Sequence, residues 1–296
     1  MNKVTDGWHI GWMAIRPKTL GAAIAPVIMG SALAYDAGQF HFPSAIAALL
    51  GAVLIQIITN LANDYGDFFH GADKETRIGP QRILQSGLVS PKAMIRAIIV
   101  VLTLSIGVGV YLIQRGGWPI LLIGIFSLLS GILYTLGPFP LAYLGLGDIF
   151  VLIFFGPIAV AGTFYVQSLT FSFLAIIVGS SIGSIAVALL AVNNWRDMDQ
   201  DNLAGKKTLA VRWGYNFAKT EFLICLILPF GIAIGIGTIY LKYGLLVTIL
   251  PLLLIVVLNL KKMVSPHSKE SFMFLLSFSG RILYLYGFAF ALGWIL

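Results

Sequence analysis

Two short runs of acidic side chains hold most of the chemistry this sequence can perform. Seven of its twelve acids, Asp64, Asp67, Asp73, Glu75, Asp197, Asp199 and Asp201, fall in two segments, 63–91 and 193–218. Asn60, Asp64 and Asp67 are spaced i, i+4 and i+7, and Asn194, Asp197 and Asp201 are spaced i, i+3 and i+7. A helix running through either set carries it on one face. Like charges held together need a neutraliser, and oxygen donors without cysteine or a well-placed histidine favour Mg²⁺ over zinc or copper. The expected metal ligands are Asp64, Asp67, Asp197 and Asp201, which form the catalytic core. Mg²⁺ held by few carboxylates keeps positions for phosphate oxygens. Basic residues follow each cluster: Lys74, Arg77 and Arg82 the first, Lys206, Lys207 and Arg212 the second. With Asn60 and Asn194, Lys74, Arg77, Arg82, Lys206 and Lys207 are therefore expected to hold a diphosphate. The bland alternative, two solvated loops of mixed charge, does not account for the matched spacing.

Composition tells what holds these clusters. Of 296 residues 58 % are hydrophobic and 10 % charged, with mean hydropathy +0.93; that excludes a water-soluble surface and marks an integral membrane protein. Crossing the hydrocarbon core takes about 20 apolar residues, and nine runs qualify: 18–35, 43–62, 92–112, 118–136, 146–166, 171–192, 219–240, 244–260 and 272–296. They are continuously apolar where a membrane barrel alternates, so the expected fold is all-α and polytopic. Sixteen of nineteen lysines and arginines fall on the side carrying both acidic segments, Arg115 and Lys242 fall on the other, and Arg281 lies inside the last run. By the positive-inside rule the N-terminus is cytoplasmic and the C-terminus lies on the opposite side. The formal charge of +7 then reflects topology and diphosphate binding, with no nucleic acid required. A single cysteine, Cys225, excludes an intramolecular disulfide. Residues 1–15 lack the pattern of a cleavable signal peptide; Trp8, Trp12 and Ile15 instead predict an interfacial helix, with Pro17 in the first turn of the first span.

The two acidic segments also match one another. At an offset of 133 residues Asn60 corresponds to Asn193, Asp64 to Asp197 and Lys74 to Lys207, with Pro26 and Pro157 near that offset. The reading is one transmembrane domain, 1–296, with an internal repeat at about 18–136 and 146–260. An even number of helices per copy puts both segments, as caps of one site, on one membrane face.

Asn60-Leu-Ala-Asn-Asp64-Tyr-Gly-Asp67, Gly71-Ala-Asp73 and Arg77-Ile-Gly-Pro-Gln-Arg82 form one set of motifs. Asn193-Asn-Trp-Arg-Asp197-Met-Asp-Gln-Asp201 and Ala204-Gly-Lys-Lys-Thr-Leu-Ala-Val-Arg212 form the other. Together they resemble the UbiA superfamily of intramembrane prenyltransferases, and within it the branch that prenylates 1,4-dihydroxy-2-naphthoate. Arg16-Pro-Lys-Thr and Phe155-Gly-Pro-Ile-Ala-Val-Ala-Gly162 point to the same branch, so the resemblance spans nearly the whole chain. It implies nine helices around a central cavity, a Mg²⁺ pair on Asp64, Asp67, Asp197 and Asp201 holding a polyprenyl diphosphate, and a lateral opening for the lipid tail. It also implies a bacterial inner-membrane location and the menaquinone-pathway reaction, in which a prenyl group replaces the naphthoate carboxylate and CO₂ is lost. Two departures stand out. The family's third acid in the first motif would fall near Phe68, a place Asp73 is expected to take from another angle. The basic residue four positions after a tyrosine in helix four would fall at Pro138, after Tyr134.

In such chemistry the diphosphate leaves when its charge is stabilised, and the aspartates need transfer no proton. Water must be kept from the allylic cation. Tyr134, Thr135 and Asp148 lie at the cytoplasmic ends of the fourth and fifth runs, as contacts to the aromatic substrate or as packing and caps. Arg16 is placed to meet the substrate carboxylate or to serve as a membrane anchor. Arg281 reads as functional, snorkelling or structurally paired, and Gly179/Gly183 and Gly231/Gly235 as close helix contacts. A transporter or channel is a second class, though its ionisable groups would sit mid-membrane. A third reading keeps the enzyme and changes the aromatic acceptor, for instance to 4-hydroxybenzoate or a haem.

Overall fold

A computed structural model describes residues 7–69, 82–264, 266 and 268–296, apart from the side chain of Lys18. Asp73, Lys74 and Arg77 of the expected site, with Lys3, Glu75, His70 and His267, lie outside the described residues.

In chain order the helices are α1 (Gly7–Ile15), α2 (Pro17–Asp36), α3 (Phe42–Phe69), α4 (Pro91–Gly116), α5 (Trp118–Leu133) and α6 (Gly147–Ile153). A π-helical turn at Phe154–Ile158 joins α6 to α7 (Ala159–Ser168). There follow α8 (Phe173–Arg196), α9 (Met198–Leu203), α10 (Leu209–Ile239), α11 (Tyr243–Met263) and α12 (Lys269–Ile295). With α6 and α7 as one rod, eight are long and apolar enough to cross a membrane, and the 16-residue α5 is a shorter apolar helix. These rods match the nine expected runs, and no strand occurs among the described residues.

Most boundaries shift by at most four residues, and two differ by seven or more. The run expected to end at 62 continues as regular helix to Phe69 and carries Asp64 and Asp67 with it. The run expected to begin at 219 starts at Leu209, where the Thr208 side chain accepts the Val211 N–H, and its backbone breaks at Gly214 (φ 80°). The polar segments are thus partly helical, which fixes their side chains. The helix expected around Trp8, Trp12 and Ile15 is α1, with Trp8 and Trp12 exposed, and Pro17 is in the first turn of α2.

α8 is the central rod: Val178, Ile182, Ile185, Ala188 and Val192 are at most 1 % exposed. It packs on α10, the π turn and α12, while α12 also lies along α2, so the last helix meets the first span. The π turn absorbs Pro157, whose missing N–H breaks an α-helical ladder, and leaves Gly156 at φ −115°, ψ −107°. Here α8 approaches so closely that only glycine fits. A Cβ on Gly156 would lie 2.7 Å from the Gly179 carbonyl oxygen, and one on Gly183 would overlap the Leu152 carbonyl oxygen. Gly231 and Gly235, expected as a similar pair, meet nothing within 4 Å and form no helix contact. In α10, Pro229 cannot donate to the Cys225 carbonyl one turn back; Ser184 of α8 donates its Oγ to that oxygen instead, at 3.1 Å. Such repair is required wherever backbone sits in hydrocarbon.

Away from the acidic motifs, Lys242 pairs with Asp36 and lies 5.1 Å from the Trp294 ring centroid, and Arg115 donates to the Gln167 carbonyl at 3.2 Å. Arg281 is exposed on α12 and lines neither cavity described below.

Candidate active site

The last two turns of α3 supply the first motif. Asp64 and Asp67 are 4 % and 2 % exposed, burial that a carboxylate tolerates only with counter-charge. Arg82 donates from Nη2 to Asp67 Oδ2, its Nη1 lies 4.0 Å from Asp64 Oδ1, and Lys206 donates to Asp67 Oδ1 at 3.0 Å. Arg82 is held because its neighbours Ile83 and Leu84 are buried with Leu61 and Met94, against Ile10 and Met13 of α1. Gly66 lets the segment after α5 approach: a Cβ there would lie 2.7 Å from Thr135 Oγ1. That hydroxyl donates to the Ala62 carbonyl and Asn63 Oδ1.

The second motif starts where α8 ends. Arg196 donates from Nε and Nη2 to the two oxygens of Asp197 at 2.7 and 2.6 Å, a bidentate grip between consecutive residues. α9 then closes in a left-handed turn: the Gly205 N–H (φ 75°) donates to the Asn202 carbonyl and the Lys206 N–H to the Asp201 carbonyl, the pattern of a Schellman cap. This turn separates two adjacent lysines. Lys206 points inward, 3.0 Å from Asp67, 3.9 Å from Asp201 and over the Tyr143 ring at 5.3 Å. Lys207 is exposed, and its backbone N–H donates to the Tyr143 carbonyl. Arg212 clamps the same corner, donating to the Leu144 and Lys207 carbonyls.

These groups border a polar chamber of about 650 Å³ lined by Arg16, Asp67, Arg82, Tyr134, Asn194, Asp197, Asp201 and Lys206, among others. A second, mostly apolar chamber of about 520 Å³ extends between α2, α3, α4, α5 and the α6–α7 rod. Arg16, Thr19, Asn63, Tyr134, Leu190 and Asn193 border both, so the two communicate. Arg16 occupies that junction with a left-handed backbone (φ 52°, ψ 68°), strain that a non-glycine residue adopts when its surroundings dictate it. Burial, then the charges of Asp148, Asp67 and Asp201, push the Tyr134 phenol well above its ordinary value, so it stays protonated.

The donor set fits a hard cation. Carboxylates from two facing helix ends converge with amides, and among the described residues no thiol or imidazole lines the polar chamber. Among the described residues no three acidic or His/Cys side chains form a closed cage. Carboxylates offered in smaller groups leave coordination positions for phosphate oxygens and water, as Mg²⁺ requires.

Of the expected residues, the structure brings Asp64, Asp67, Arg82, Asp197, Asp201 and Lys206 together, with Arg16, Tyr134 and Asn194 on the same wall. Two are placed elsewhere. Asn60 donates to the Ile15 carbonyl and Thr19 Oγ1 and accepts from Gln56, tying α3 to the α1–α2 junction below the polar chamber. Lys207 faces out because the Gly205 turn spends its register on Lys206. Lining residues outside the expected set include Arg196, hidden as an ordinary cytoplasmic base, Asn63, whose signal is its i+4 spacing to Asp67, and the polar Gln200 and Thr208.

Residues 23–279 match the model of the UbiA prenyltransferase family. The 1,4-dihydroxy-2-naphthoate octaprenyltransferase of Escherichia coli is 41 % identical over 73 % of this chain and 72 % of its own. That of Bacillus subtilis is 32 % identical over 72 % and 68 %. A UbiA homolog from Archaeoglobus fulgidus, solved with GPP and Mg²⁺, shares the fold at TM-score 0.62 and 15 % identity, covering 95 % of this chain and 99 % of its own. An all-helical membrane fold, two facing acidic helix ends and these likenesses converge: the chain is an integral membrane protein of the UbiA prenyltransferase family.

Proposed function

We propose that this protein transfers a polyprenyl group from polyprenyl diphosphate to 1,4-dihydroxy-2-naphthoate with loss of CO₂, giving demethylmenaquinol for menaquinone biosynthesis. The supporting observation is the Lys206 bridge between Asp67 and Asp201 at the head of a polar chamber that opens into an apolar one. A diphosphate headgroup matches the first chamber and a prenyl tail the second. The identity to curated naphthoate octaprenyltransferases supports the acceptor.

Asp64, Asp67, Asp197 and Asp201 would hold Mg²⁺, which when bound neutralises the departing diphosphate as a Lewis acid. Lys206 and Arg82, which meet at Asp67, would donate to the diphosphate oxygens and orient them. Arg196 holds Asp197 in one rotamer. Arg16, between the chambers, is the partner for the acceptor carboxylate, and the protonated Tyr134 supplies a hydroxyl beside it. The apolar walls of α2, α4, α5 and the α6–α7 rod exclude water while the allylic carbon is electron-poor. Two repeats, about 18–136 and 146–260, within one domain are part of the same proposal, supported by acidic motifs that end α3 and α8 alike. So are a bacterial inner-membrane location and a cytoplasmic N-terminus, supported by the one-sided lysines and arginines.

The test incubates purified protein in nanodiscs with Mg²⁺, an allylic diphosphate and 1,4-dihydroxy-2-naphthoate, and measures prenylated product and CO₂ together. Matched release of both is expected. Turnover of another aromatic acceptor and none of this one overturns the assignment.

A further inference from the structure

Among the described residues four carboxylates line the polar chamber: Asp67, Asp148, Asp197 and Asp201. Three lie within 4.0 Å of a lysine or arginine nitrogen. Asp148, at the start of α6, has no such cation among the described residues; it is 6 % exposed, and its Oδ1 accepts no hydrogen bond from them. A buried acceptor left unmet costs free energy that a ligand can recover. The diphosphate is not that ligand, because it brings only like charge. A hydroxyl group is the complement.

The surroundings say which kind of hydroxyl. A Cβ on Gly147 would lie 2.7 Å from Tyr134 Oη, so that ring sits beside the Asp148 backbone. Further along the same rod Phe150 and Phe154 stack with centroids 5.9 Å apart and line the apolar chamber. Asp148 therefore stands at the polar end of an aromatic wall, where a flat, hydroxyl-bearing ring fits. Other titratable groups in electrostatic reach are Tyr134 after α5, and Glu221 and Cys225 of α10, the last two outside the chamber lining.

We propose that Asp148 is a catalytic residue that takes the proton of the acceptor hydroxyl and later returns it, an inference that rests on the naphthoate reading above. The O–H bond breaks toward Asp148 and the oxygen becomes a carbonyl. The ring's electron pair forms the bond to the prenyl carbon, and the allylic C–O pair leaves with the diphosphate. The ring is now a β-keto carboxylate. Loss of CO₂ returns an electron pair to the ring system, the carbonyl oxygen becomes an enolate, and Asp148 protonates it. No oxidant or further reactant enters, and Asp148 ends as it began.

Asp148→Asn in the full chain in nanodiscs tests this. Turnover with the naphthoate is expected to fall about 100- to 1,000-fold, with diphosphate affinity held within about threefold of wild type. The residual rate should climb between about pH 8 and 10, where a phenolic hydroxyl near pKa 10 ionises unaided, a rise absent in wild type. Asp148→Glu, which keeps the proton acceptor, should retain more turnover than Asp148→Asn and lack that rise. Undiminished turnover in Asp148→Asn, joint loss of diphosphate binding, a pH profile parallel to wild type, or the reverse order of the two variants each overturns the proposal. Failure of the naphthoate reading shows separately, as absence of product in the wild-type protein.

Discussion

Lys206 Nζ lies 3.0 Å from Asp67 Oδ1, joining residues 139 positions apart, and 3.9 Å from Asp201 Oδ1. One ammonium thus links the acidic ends of α3 and the α8–α9 corner. Lys206→Ala should weaken diphosphate binding about 10- to 100-fold, the worth of a hydrogen bond to a charged group, whereas Lys207→Ala should stay within about twofold, as exposed sites do. Titration of both variants with an allylic diphosphate checks the contrast; equal losses would sink it.

Asp64→Ala and Asp197→Ala should abolish turnover and leave the protein folded and inserted. Near-normal rates in either variant at saturating Mg²⁺ would refute the metal role. Arg196→Lys keeps the charge and loses the bidentate grip on Asp197, so it should raise the Mg²⁺ concentration needed for half-maximal rate; an unchanged requirement argues against a positioning role.

Chelation gives an independent check. EDTA should stop prenyl transfer and added Mg²⁺ should restore it, because carboxylate ligands offer no covalent hold on the ion. Turnover that persists in excess chelator would exclude a metal-dependent reaction.

Burial and neighbouring carboxylates disfavour the charged phenolate of Tyr134, so its neutral form persists from acidic pH to beyond its ordinary value near 10. Tyr134→Phe should therefore lower the rate without changing the shape of the pH–rate profile below about pH 10. A new inflection in that range would contradict the assignment.

Two glycine substitutions separate packing from mere occurrence. Gly183→Leu drives a side chain into the Leu152 carbonyl and should cost about 1–3 kcal/mol or more. Gly231→Ala, with nothing within 4 Å, should lie within about 0.5 kcal/mol of wild type. Thermal unfolding in one detergent compares them directly.

The rods and the acidic motifs were legible because apolar run length and helical spacing are local properties. Asp64 and Asp67 share a face wherever α3 continues, and it does continue to Phe69. What required the structure was direction beyond a helix end. Arg196 and Asp197 are sequence neighbours on opposite sides of the α8 terminus, and no periodicity reveals that one grips the other. Lys206 and Lys207 look alike until the Gly205 turn aims one of them. Asn60 fits the motif spacing yet lies a turn too deep, with its amide committed to Ile15 and Thr19. The Gly231/Gly235 spacing repeats that of Gly179/Gly183, but spacing alone does not say whether a neighbour is there.

The Ser184 hydroxyl on the Cys225 carbonyl does more than repair a proline gap. A directional bond between two transmembrane rods acts as a register pin, since sliding α8 along α10 by even a fraction of a turn would leave a bare carbonyl in hydrocarbon. Asp197 comes thirteen residues after Ser184, about 20 Å along the axis at 1.5 Å per residue. The height of the second acidic motif at the membrane surface is thereby set from deep within the bilayer.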